Sequence, residues 1–161
     1  MIRAFQHNDA EALLDIYNHY VLHSVATFDD APLEIAVFSE KLNHIAEVYP
    51  ILVFEENNNI LGYAYGSQFR PKPAYKNTVE TTVYLKHGEH GKQIGTKLYT
   101  ELLSLLKAKN FHIALGVLTL PNDASVKLHE KLNFKQVAHF NEVGYKFGQW
   151  LDVGVFQLKL V

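Results

Sequence analysis

The stretch His87 to Lys109, HGEHGKQIGTKLYTELLSLLKAK, sets a polar, glycine-punctuated loop directly before a long amphipathic pattern. The first four amides of a helix lack internal partners and carry the positive end of its dipole. A phosphate docked there satisfies both, provided no bulky side chain blocks its approach. Gly91 and Gly95 supply that bareness, and Lys92 adds a mobile positive charge. Glycine is also common in plain strand-to-helix turns, so the loop alone permits either reading. It is not the P-loop, which ends in Gly-Lys-Ser/Thr, nor the dinucleotide fingerprint, which needs three spaced glycines after a first strand. Glu80 lies in NTVETTVYLK, where Thr78, Glu80, Thr82 and Tyr84 alternate against Val79, Thr81, Val83 and Leu85. His129 shares a helical face with Ser125 and Leu132, and imidazole changes charge near neutral pH. Arg70 can grip a carboxylate with two parallel hydrogen bonds, or lie free on its loop.

Metal chemistry is not written in the nine histidines. His19 and His23 are one helical turn apart but lack the glutamate of HExxH, and His87 and His90 share a loop with no second ligand pair. The absence of cysteine removes disulfides, thiolate nucleophiles and cysteine-rich zinc sites together. A net charge of -2 gives no long-range attraction to polyanions, so no nucleic-acid partner is expected. The opening MIRAFQHNDA lacks the basic-then-apolar pattern of a secretion signal, and no apolar run approaches a membrane span. A cytoplasmic protein without a membrane partner is the expectation.

The elements that must position these groups follow from periodicity. At 161 residues, without repeats or glycine- and proline-rich linkers, the chain reads as one domain over 1–161. IRAF is a short strand. Asn8 with Glu11 offers a capping box for a helix from Asp9 to about Leu22. Pro32 opens a second helix whose buried stripe is Ile35, Phe38, Leu42 and Ile45, and Pro50 stops it. ILVFEENNNILGYAYGSQF reads as two strands joined at the asparagines, and RPKPAYK as a loop. After the strand carrying Glu80, the third helix buries Ile94, Leu98, Leu102, Leu105 and Leu106. HIALGVLTL has the wholly apolar character of a strand covered on both faces. Asn122 caps a short fourth helix that Asn133 ends in the left-handed conformation. Two strands, near Lys135–Lys146 and Trp150–Leu160, close the order βααβββαβαββ: an α/β chain with one mixed sheet and helices on both sides.

Five blocks in this frame, IYNHYVLHSVATFDD, GYAYGSQFRPKPAY, TVETTVYL, LPNDASVKLHEKLNF and VGYKFGQWLDVGVFQL, span Ile16 to Leu158. Together they resemble the phosphinothricin and methionine-sulfone branch of the GCN5-related N-acetyltransferases (GNAT). The superfamily's loop motif, Gln/Arg-x-x-Gly-x-Gly/Ala, falls on His90-Gly91-Lys92-Gln93-Ile94-Gly95, with His90 in place of Gln or Arg and Gln93 in place of the middle glycine. The resemblance implies a mostly antiparallel sheet of about seven strands, splayed between the fourth and fifth. It implies transfer of acetyl from acetyl-CoA, without a metal, to the α-amine of a small amino-acid-like substrate. Glu80 is then the base and His129 the acid that protonates the thiolate. Val83, Tyr84, Leu85, His90, Gly91, Lys92, Gln93, Ile94, Gly95, Thr96, Asn122 and Ser125 would bind the coenzyme, with the Val83 amide polarising the acetyl carbonyl. Phe28, Arg70, Pro73, Ala74 and Tyr75 would meet the amine substrate. A homodimer built around the C-terminal hairpin is expected. A protein N-terminal or lysine acetyltransferase and a non-catalytic CoA-binding module are the alternatives.

Overall fold

Strands form where side chains alternate or run wholly apolar and a turn former ends the run. In the computed structural model, which describes Met1 through Val161, seven such segments join one sheet. They are β1 (Ile2–Ala4), β2 (Ile51–Glu56), β3 (Asn59–Gln68), β4 (Thr78–Leu85), β5 (Ile113–Leu120), β6 (Lys135–Lys146) and β7 (Gln149–Lys159). Between them lie α1 (Ala10–His23), α2 (Ile35–Ala46), α3 (Ile94–Ala108) and α4 (Asp123–Lys131). The order is the expected one. Asn57 and Asn58 turn the chain between β2 and β3 with φ of 51° and 61°, a region asparagine tolerates better than most residues. Asn133 ends α4 at φ 67°.

The strands are ordered β1-β2-β3-β4-β5-β7-β6, and every neighbouring pair is antiparallel except β4 with β5. That one parallel pair is short. Its register runs from Thr78–Ile113 to Thr81–Gly116 and then stops. On the outer sides the ladders continue, β4 with β3 to Leu85–Gly62 and β5 with β7 to Leu120–Asp152. Residues 82–85 and 117–120 therefore face each other across a wedge-shaped gap, the splay expected between the fourth and fifth strands.

Each face of the sheet carries its own core. On one, Ile94, Leu98, Leu102 and Leu106 of α3 pack on Leu61, Ala64 and Val79. On the other, Leu13, Tyr17 and Val21 of α1 and Phe38 and Leu42 of α2 pack on Val53, Tyr63 and Tyr65. Burying each large side chain contributes about 1.5–3 kcal/mol, so these two layers fix where the strand ends lie.

Three local expectations are corrected. The capping box falls on Gln6 and Asp9, not Asn8 and Glu11. Arg3 takes both Asp9 oxygens at 2.8 and 2.9 Å and the Gln6 amide donates to the same carboxylate, which holds the chain in a short 3-10 turn before α1. Helix α2 begins at Ile35, beyond Pro32, and Ile35 is exposed. Asn18 binds both the amide and the carbonyl of Leu33, which keeps that residue out of the helix. Finally, β5 is not covered throughout, for Val117 lies past the last β4 partner and is exposed.

Candidate active site

The gap between β4 and β5 opens into a cleft of about 1020 Å³. Helix α3 starts at one end of it. Gln93 is its N-cap, in the left-handed region at φ 61°, with no side chain capping the helix and no acidic residue in the first turn. The leading amides of α3 thus lack a side-chain acceptor. Gly91, at φ 82°, has nothing within 4 Å of where a Cβ would stand, so the loop backbone is bare on that side. Gly95 differs: a Cβ there would stand in ordinary contact with Leu128 and Leu85, at 3.6 and 3.7 Å, so packing alone does not demand glycine. Lys92 is the exception in this loop. It does not line the cleft, and its ammonium is paired with Glu89 at 2.8 Å.

Backbone direction along β4 follows from its two ends. The Lys86 amide donates to Leu61 on the β3 side, whereas the Asn77 carbonyl accepts from His112 on the β5 side. Alternation then turns the peptide groups of Val83 and Leu85 toward β5, into the gap where no strand pairs with them. Tyr20 of α1 was not anticipated here. Its hydroxyl donates to the Leu85 carbonyl at 2.8 Å, accepts from the Leu85 amide at 3.3 Å and lies 3.2 Å from His90 Nε2.

The floor of the cleft is a hydrogen-bonded chain. His129 is only 2% exposed. Its Nδ1–H donates to the Ser125 carbonyl at 2.7 Å, since a carbonyl can only accept, and its Nε2 meets the Tyr99 hydroxyl at 2.9 Å. Tyr99 is bonded in turn to Thr81, whose hydroxyl reaches the Leu115 carbonyl at 3.0 Å. Burial lowers the His129 pKa, with the Ser125 contact opposing, and burial raises that of Tyr99. The ring fits because residue 116 is glycine: a Cβ there would lie 2.6 Å from His129 Cδ2 and closer still to Nε2. Asn122 Oδ1 accepts from the Ser125 amide at 3.2 Å and so caps α4 as expected.

Glu80 stands on the opposite face, three residues before Val83, or about 10 Å along the strand. It is half-buried, and burial pushes its carboxyl upward. The far end of this face is not free for ligands, because Tyr84 packs on Tyr17 and Tyr20 of α1. Nearby, Tyr17 bonds to Thr27 at 2.9 Å and to Asp29. Lys146, buried on β6, donates to the carbonyls of Ser24 and Thr27 at 2.7 and 2.8 Å and ties the α1–α2 loop to the C-terminal hairpin.

Of the residues expected at the coenzyme, Val83, Tyr84, Leu85, His90, Gly91, Gln93, Ile94, Gly95, Thr96, Asn122 and Ser125 line the cleft, together with His129. Glu80, Phe28, Arg70, Pro73, Ala74 and Tyr75 do not. Arg70 is exposed and lies over the rings of Phe69 and Tyr75, with the Tyr75 hydroxyl 3.4 Å away. The Phe28 ring would overlap a Cβ at Gly144, so it rests against β6. Sequence reasoning passed over Thr81, Tyr99, Tyr20 and Lys146. Only Lys146 left a signal: a cation in the strand position that alternation from Gly144 turns inward.

A family model described as the acetyltransferase (GNAT) domain matches residues 2–155. The phosphinothricin N-acetyltransferase of Streptomyces coelicolor is 38% identical over 163 residues, covering 99% of this chain and 95% of that protein. The L-methionine sulfoximine/L-methionine sulfone acetyltransferase of Salmonella typhimurium is 35% identical, covering 99% and 94%. Among solved structures, yncA of Salmonella typhimurium, described as a putative acetyltransferase with its cofactor acetyl-CoA, superposes with a TM-score of 0.98 at 34% identity, covering 100% and 94%. The chain belongs to the GNAT acetyltransferase family and is an acetyl-CoA-dependent N-acetyltransferase.

Proposed function

We propose that this enzyme acetylates the α-amine of a small amino-acid-like substrate of the phosphinothricin, methionine sulfoximine or methionine sulfone type. The observation that carries the reading is the splay, which leaves Val83 and Leu85 without a partner strand, Leu85 meeting only the Tyr20 hydroxyl, between an uncapped helix start and a half-buried carboxylate. Those features fit acetyl-CoA: the leading amides of α3 and the bare Gly91 suit a pyrophosphate, and the open edge of β4 suits an amide-bearing arm. Bound there, the coenzyme supplies an activated thioester carbon.

The chain's own groups do the rest. Glu80 takes the proton of the acceptor ammonium, directly or through water. The Val83 amide donates to the carbonyl oxygen as charge gathers on it. His129, when charged, is made a stronger acid by burial. Its Nε2 proton passes to the Tyr99 oxygen as the Tyr99 hydroxyl proton leaves toward the sulfur. Asn122 and Ser125 border the arm's path. Phe28, Arg70 and Pro73–Tyr75 act in acceptor recognition outside the cleft, with Arg70 taking the substrate carboxylate. The enzyme works as a cytoplasmic homodimer, without nucleic-acid or membrane partners. Support for the dimer is the exposed apolar surface of the hairpin, where Val143, Tyr145, Phe147 and Trp150 are each more than half exposed. Light scattering at micromolar concentration should give twice the 18.4 kDa chain mass; a monomer removes the dimer from the proposal.

Two measurements test the function together. Coenzyme A at about 100 times its dissociation constant should stabilise the fold by roughly 2.7 kcal/mol, raising Tm by about 5–10 °C. Thiol release from acetyl-CoA should then rise with amino-acid analogues bearing sulfone, sulfoximine or phosphinate groups. Stabilisation without release from any amine marks a binding module, and release only with peptides marks a protein acetyltransferase.

A further inference from the structure

The side chains lining the cleft include no lysine, arginine, aspartate or glutamate. A polyphosphate entering it meets the dipole of α3 and, as the only side chains able to gain positive charge, His19, His23, His87, His90 and His129. His129 is committed to its buried network, and His90 lies against Tyr20. The other three form a cluster of their own. His19 and His23 lie one turn apart on α1 with ring centroids 4.8 Å apart, and His87, from the loop entering α3, lies 4.6 Å from His19. His23 and His87 are exposed and His19 is half-buried.

Imidazoles at this spacing repel one another once charged, so the cluster gathers charge most readily against an anion. The anion is at hand by construction, because His87 belongs to the loop that opens onto the start of α3. We propose that His19, His23 and His87 form a second phosphate-binding subsite of the coenzyme cleft, which takes up protons as a phosphate of the coenzyme settles against it. The inference rests on the acetyl-CoA reading above and adds a proton-linked affinity to it.

Other charges near the cluster do not replace it. A smaller polar hollow adjoining the cleft is lined by His19 and His87 together with Asp15 of α1, Lys86, and Arg3, Asp9 and Glu55. Arg3 is engaged by Asp9 and Glu55, and Lys92 by Glu89. Asp15 and Lys86 offer one charge of each sign. Within the cluster, burial depresses the pKa of His19 and its neighbours His87 and His23 depress it further. A phosphate reverses that direction. The folded chain therefore binds more protons with coenzyme than without, and affinity is greatest on the acid side. It falls as pH rises through the pKa of the occupied cluster.

Calorimetric titration of coenzyme A into the full chain from about pH 5 to about pH 8, in two buffers of different ionisation enthalpy, measures both affinity and proton uptake. The coenzyme's own 3′-phosphate titrates near pH 6, so the wild type is compared with the His19→Gln/His87→Gln double variant, in which that contribution is the same. The wild type should take up about one proton more than the variant near neutrality, and its Kd should weaken about tenfold more across the range. The excess vanishes with 3′-dephospho-coenzyme A if the subsite holds the 3′-phosphate, and survives if it holds the pyrophosphate; either result supports the subsite. Equal Kd and equal proton uptake in wild type and variant at every pH overturn the subsite and leave the function standing. Failure of the wild type to bind coenzyme at any pH overturns both.

Discussion

Glu80→Gln is expected to lower kcat by about 10²–10⁴-fold, the range a positioned general base contributes, with the dissociation constant of coenzyme A unchanged. Glu80 lies outside the coenzyme cleft, so its loss removes no contact there. The pH dependence carries a sign. Glu80 must be ionised to accept a proton, and burial raises its carboxyl pKa, so the wild-type rate falls as pH drops through that raised value. Glutamine has no such limb, and its residual rate should be flat there. Stability runs the other way. A carboxyl whose pKa is raised on folding favours the folded state most when protonated, and at neutral pH its ionised form opposes burial. The variant's Tm at neutral pH should therefore equal or exceed that of the wild type. A Tm that falls in step with kcat would mark Glu80 as structural and end its assignment as the base.

Gly116→Ala should be nearly as costly by a different route. The new methyl overlaps the imidazole of His129, which is held from both sides by Ser125 and Tyr99 and cannot swing away without breaking one bond or the other. Overpacking a filled interior typically destabilises by about 1–3 kcal/mol, or roughly 2–12 °C in Tm for a chain of this size. The displaced ring should also lose its role as acid, lowering kcat by about 10²-fold. Adding His129→Gly to Gly116→Ala removes the overlap, so the double variant should melt higher than Gly116→Ala alone while staying slow. A Gly116→Ala enzyme with wild-type kcat and Tm would show that the ring is neither held nor used as described.

The sequence made the order of elements legible because period is a local property. Alternation at Thr78–Leu85 and the fourfold stripe of Ile94, Leu98, Leu102 and Leu106 need no knowledge of partners. The splay was legible through resemblance alone, whereas the loop leading into α3 showed in its own glycines and lysine and took its ligand from the resemblance. What stayed hidden depended on distant pairs. Arg3 holds Asp9 so that the first capping box falls two residues earlier, and Asn18 pins Leu33 outside α2. Tyr99 read only as a helix residue, yet its hydroxyl joins Thr81 to His129 across separations of 18 and 30 residues. Lys92 reads as a free cation because nothing local in the sequence marks Glu89, three residues earlier, as its partner. Arg70 and Tyr75 were expected to face the substrate together, and they do meet one another, though outside the cleft.

The double-sided arrangement of the sheet has an evolutionary corollary. On the proposed assignment the thioester is handled largely on the layer of α3 and α4, whereas Glu80 and the α1–α2 loop occupy the reverse side. Substitutions far enough apart to share no neighbours combine additively. Descendants of this chain can thus drift toward unfamiliar amines by altering the parts of the reverse layer that do not line the cleft, whereas His19, Tyr20 and His23 of α1 border the donor's berth and must be inherited unchanged. The hinge between these two inheritances is β4, whose neighbouring Glu80 and Thr81 look in opposite directions.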